Sequence, residues 1–111
     1  MPSQTEGPTA PVTARSSRKQ NRQDEARRRR LLKPHTDKVK KIDQQMKKLR
    51  LELDDIEARL ADESLYTDES RKAELPGLMQ AQGSIRAQLD SLEWDWLAAS
   101  EQLEEAEREL G

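Results

Sequence analysis

The residues best equipped for chemistry in this 111-residue chain are its cations. Arg15, Arg18, Lys19, Arg22, Arg27, Arg28, Arg29, Arg30 and Lys33 are followed by Lys38, Lys40, Lys41, Lys47, Lys48 and Arg50. Each carries a fixed positive charge, and the guanidinium fork matches the geometry of phosphate oxygens. A run of this kind can neutralise a polyanion and release its counterions, so binding of DNA or RNA, ribosomal RNA included, is the expected chemistry. No aromatic residue is interleaved with these cations, and the contact would therefore be to phosphates rather than to bases. The competing reading is a solubilising arm that pairs with the acidic end of the chain.

The net charge of −2 conceals the asymmetry. Residues 15–50 hold fifteen Lys/Arg against Asp24, Glu25, Asp37 and Asp43, a net of +11. Residues 51–111 hold five against seventeen Asp/Glu, a net of −12. A basic arm joined to an acidic body is implied.

Other chemistries lack their residues. There is no Cys and a single His35, which cannot build a His-rich metal site. Neither a GxxxxGK[ST] phosphate loop nor a GxGxxG turn occurs, and the carboxylates fall at solvated positions, so no catalytic residue, metal or cofactor is assigned. No stretch approaches the ~20 apolar residues of a membrane span, and residues 1–14 lack the apolar core of a signal peptide. The expected setting is the cytoplasm, without membrane contact.

What must position the cations is helix. Only 32% of the residues are hydrophobic and 38% are charged, a composition suited to long solvated helices with a narrow apolar seam. Val39, Ile42, Met46, Leu49, Leu53, Ile56 and Leu60 follow at alternating spacings of three and four. A second such series runs Leu75, Leu78, Gln82, Ile85, Leu89, Leu92, Trp96, Ala99, Leu103, Ala106, Leu110. The phase breaks at residues 61–68, where Thr67 or Asp68 offers an N-cap. The expectation is an all-α fold: a monomeric two-helix antiparallel coiled-coil hairpin with a disordered basic N-terminal arm.

In this reading residues 1–33 form a flexible leader and arm, and 34–111 the hairpin. Helix one spans about 35–61, the hinge about 62–68, and helix two about 69–110 with a kink or break near Pro76. Pairing Leu60 with Leu75 sets Leu53 against Gln82, Ile42 against Leu92 and Val39 against Trp96. The same register brings Arg27–Arg30 beside Glu104, Glu105, Glu107 and Glu109. Gln82 is a polar seam position of the kind that pins register, Trp96 belongs to the core, and Leu65 and Tyr66 plug the end of the hairpin. Trp94, at a solvent-facing position, either wraps over the helix edge or docks on a partner.

The segment from about Arg27 to Leu110 resembles the C-terminal coiled-coil extension of ABC-F ATP-binding cassette proteins of the Uup/YheS type. The matching residues are Asp62-Glu63-Ser64-Leu65-Tyr66, Ser70-Arg71-Lys72-Ala73-Glu74-Leu75, and Trp96-Leu97 with Glu101-Gln102-Leu103-Glu104. The resemblance implies a parent with two ATPase domains, absent from this chain, that acts on ribosomes or nucleic acids. This chain would then be its non-catalytic terminal module, with those ATPase domains as partners. The alternative is a structural coiled coil that positions or oligomerises its parent without touching nucleic acid.

Overall fold

The computed structural model describes residues 2–111, with side chains from Ser16 onward. The chain forms four helices in the order α1 (Pro2–Leu60), α2 (Ser64–Thr67), α3 (Glu69–Lys72) and α4 (Leu75–Leu110). Helices α1 and α4 lie antiparallel along one seam, and α2 and α3 form the hinge, so the expected hairpin is present. The flexible leader expected at 1–14, and Arg15 after it, fall outside the residues whose side chains are described.

The seam is the one that the three-four spacing implies. Ile42, Met46, Ile85, Leu89 and Ala99 are buried, and Val39, Leu49, Leu53, Ile56 and Leu92 pack against them. Burying an apolar side chain of this size stabilises by roughly 1.5–3 kcal/mol, and two long helices need several such residues to offset their ordering entropy. Gln82 sits half-buried in the seam, as its heptad position requires.

Helix one begins well before the expected boundary near residue 35. Residues 16–33 are helical and Pro34 lies inside α1. Proline there leaves one carbonyl without its amide donor. The helix nevertheless continues, because Leu32 and His35 keep the seam phase on either side and are both half-buried. The Thr36 hydroxyl also donates to the Leu32 carbonyl at 3.1 Å. The basic segment is thus an extension of the same rod.

At the other proline the expected break occurs. Helix α3 stops at Lys72, and α4 starts at Leu75 with Pro76 in its first turn, where the missing amide would have had no partner in any case. Asp68 is the N-cap of α3, its side chain accepting from the Ser70 amide at 3.0 Å. Leu65 is fully enclosed, as a plug should be, whereas Tyr66 stays half-exposed and donates its hydroxyl to the Leu60 carbonyl at 2.6 Å. That bond serves a carbonyl left open by the end of α1.

The register differs from the expected one by about two helical turns. Glu57 accepts from Arg86 at 2.9 Å across the helices, and Leu49 shares a groove with Gln88, Ser91 and Leu92 instead of facing residue 85. Ala99 is buried in the core as its seam position requires, but Trp96 is 37% exposed, which corrects its assignment as a core residue. The cause is the hinge: α2, α3 and the Ala73–Glu74 turn use residues up to 74, so α4 begins later and slides along α1.

Candidate nucleic-acid interface

Arg18, Lys19, Arg22, Arg27 to Arg30, Lys33, Lys38, Lys40, Lys41, Lys47, Lys48 and Arg50 all lie on α1 and are all exposed. They do not form one patch. Lys33, Lys40 and Lys47 are seven residues apart, with Lys41 and Lys48 beside the last two. Seven residues are close to two turns, so these five form a straight stripe on the side of α1 away from α4, with steps of roughly 10 Å. Arg27 and Lys19 continue the line toward the N-terminus. Lys38, Arg50, Arg22 and Arg29 flank it on either side, and Arg28 falls in the seam phase, four residues before Leu32.

The stripe stops abruptly. Its next two positions are Asp54 and Asp55, and Asp55 pairs with Arg59 at 3.3 Å. Two lysines of the stripe have partners on their own helix, Lys33 with Asp37 at 2.9 Å and Lys47 with Asp43 at 3.5 Å. Exposed pairs at this spacing contribute only ~0.3–0.5 kcal/mol, so a phosphate can displace either carboxylate. Among the described residues no ion pair holds Lys40, Lys41, Lys48 or Arg50.

The expected screen of tail carboxylates over Arg27–Arg30 is only partly assembled. Arg27 and Arg28 share a groove with Asn21, Asp24, Glu25, Leu31, Glu109 and Leu110, but no ion pair within 4 Å links these arginines to Glu104, Glu105, Glu107 or Glu109. The cations remain open to solvent.

The hinge has the most specific polar geometry of the described residues, and charge counting does not find it. The Asp62 carboxylate accepts from the Ser64 amide at 3.0 Å and hydroxyl at 2.9 Å, and from the Arg71 guanidinium at 2.9 Å. Arg71 also donates to the Ser64 hydroxyl and lies 3.7 Å from Glu74. Its bond to Arg71, then those to Ser64, hold the Asp62 carboxyl below its ordinary value. The Ser70 hydroxyl and amide do the same for Asp68, and Asp62 raises Arg71. The signal for this network is the spacing of Asp-x-Ser at 62–64 and 68–70, each a side chain bonding the backbone two residues on. Its geometry fixes the turn.

A second feature beyond the cations is an apolar groove lined by Met46, Trp96 and Leu97, with Asp43, Arg50 and Glu93 at its rim. Trp94, which is 74% exposed, does not line it. Trp94 therefore does not wrap over the helix edge. Among the described residues no group of three or more His, Cys, Asp or Glu side chains converges to hold a metal ion, and no helix is long and apolar enough to cross a membrane.

The molecule is an all-α helical hairpin whose first helix carries an open line of cations. Over 49 residues, 44% of the chain, it is 49% identical to the probable ATP-binding protein YheS of Escherichia coli strain K12 and to that of E. coli O157:H7. The identity to the same protein of E. coli O6:H1 is 47% over 49 residues. The chain spans 8% of the length of these relatives. No protein-family model and no solved structure matches it.

Proposed function

We propose that this chain is the non-catalytic, C-terminal nucleic-acid- or ribosome-binding module of an ABC-F ATPase, working as a monomer in the cytoplasm. The partial identity to an ATP-binding protein supports such a parent. The observation that carries the binding role is the stripe Lys33, Lys40, Lys41, Lys47, Lys48, exposed along one side of a continuous helix. A rigid row of ammonium groups gains by counterion release wherever phosphates can line up against it, with no requirement for sequence. Arg27 to Arg30 extend the contact, and their forks add bidentate phosphate bonds.

A mobility-shift panel with duplex DNA, single strands and ribosomal RNA fragments tests this. If about six phosphates are engaged, affinity falls ~10³-fold between 50 and 200 mM salt. Replacing the five stripe lysines with Gln weakens binding to all sequences alike and flattens the salt slope, while Arg86→Gln, outside the stripe, leaves both unchanged. Equal binding by the stripe variant and the parent chain overturns the reading.

A further inference from the structure

We propose that the outer face of α4 around Trp94 is a docking surface for an arginine-rich segment of a protein partner, separate from the phosphate-binding stripe on α1. Three observations converge on that chemistry. First, Trp94 is 74% exposed and Leu97, one turn on, is 46% exposed, so their apolar surface is continuous on one side of the helix. Leu97 also lines the groove with Trp96 and Met46, which extends the patch into the seam between the helices. An indole exposed to this degree makes no use of its apolar area within the chain.

Second, the α4 surroundings of this patch are acidic. Residues 87–107 contain seven carboxylates and not one Lys or Arg. None of the seven is in an ion pair among the described residues, although nearby carboxylates on α1 find partners on their own helix. Like charges within a turn of one another repel, so the arrangement is relieved when cations arrive. Asp90 lies one turn before Trp94, Glu101 two turns after it, and Glu93 sits on the rim of the groove.

Third, no described cation of the chain is paired with this face. The lysine stripe faces away from α4, and Arg50, on the rim of the groove, lies on the α1 side. The fitting occupant comes from another molecule and combines positive charge with a flat face and an aliphatic stem. Arginine has all three: its guanidinium stacks on an indole, its fork pairs with carboxylates, and its methylenes cover leucine. A nucleic acid is repelled by the same carboxylates. Lysine offers the charge without the planar stack, so arginine is preferred.

The test is the anisotropy of a fluorescein-labelled deca-arginine peptide titrated with the full chain, alongside deca-lysine and a labelled ribosomal RNA fragment. Deca-arginine binds more tightly than deca-lysine, Trp94→Ala weakens it about fivefold or more, and Trp94→Phe recovers part of the loss. Affinity of Trp94→Ala for the RNA fragment stays that of the parent chain. Equal peptide binding by Trp94→Ala and the parent overturns the proposal, since the face would then only gather counterions. Equal weakening of peptide and RNA also overturns it, since the indole would belong to the phosphate-binding surface. Peptide binding that depends on Trp94, in a chain that binds no RNA, supports this surface and removes the nucleic-acid reading alone.

Discussion

The two ends of the hairpin solve opposite problems. At the hinge, fourteen residues between α1 and α4 close around the fully buried Leu65, and nearly every polar group nearby has a directed partner: Asp62 with Ser64 and Arg71, Asp68 with Ser70, Tyr66 with the Leu60 carbonyl. At the far end the apolar seam thins beyond Leu32, the arginines face solvent, and the nearest carboxylate of α4, Glu109, shares a groove with Arg27 and Arg28 without an ion pair. One end is specified by geometry and the other by charge alone. Directed contacts fix a shape, whereas unpaired charges keep their interaction energy available for another molecule.

The comparison is broken most forcefully at Leu65. Leu65→Ala empties a closed site and costs about 2–4 kcal/mol, a large part of the stability of so small a domain, and lowers the thermal midpoint by many degrees. Leu110→Ala, at the open end, removes a side chain that is already 39% exposed and shifts the midpoint far less. Equal shifts in the two variants would remove the distinction between the ends.

A smaller effect separates the ends by pH. Asp62 and Asp68 have folded values depressed below 3.8, so their contribution is fully present above that pH and is lost as pH falls through the folded values. The thermal midpoint therefore falls on acidification below about pH 4. The drop is reduced in Asp62→Asn and in Arg71→Gln, which removes the first cause of the Asp62 shift. An unchanged acid limb in both variants would show that the hinge contacts do not stabilise the fold.

The smallest effect is expected at Glu109. Because no ion pair ties it to Arg27 or Arg28, Glu109→Gln changes affinity for a ribosomal RNA fragment by about twofold or less. A much larger gain in binding would reveal a working shield.

The phase of the seam was legible because burial on one side of a helix forces the three-four spacing, and every seam residue from Val39 to Leu60 lies on the inner face. The N-cap at Asp68 and the break before Pro76 were legible for local reasons, one a side-chain acceptor and the other a missing donor. Register was not. Sliding two heptad stripes past each other by a heptad keeps apolar facing apolar, so periodicity cannot choose between registers; the length taken up by the hinge does. Trp96 left the core for that reason, since the slide moved it from Val39 to a groove beside Met46 that is open to solvent. The helical state of residues 16–33 was not legible because no apolar repeat runs through them before Leu32. For the candidate site, residue types marked the cations, but only the continuity of α1 through Pro34 sorted them into a stripe and its flanks.

The antiparallel fold lays the lysine stripe of α1 alongside the cation-free stretch of α4, so that the same half of the rod is positive on one flank and negative on the other. A body with almost no net charge but a strong crosswise dipole feels a torque before it feels a pull. Near a polyanion of the proposed kind it would roll about its long axis, with the lysines in front and Trp94 behind. On the proposed function the collision would thus be oriented during the approach, leaving the indole facing outward for a second molecule.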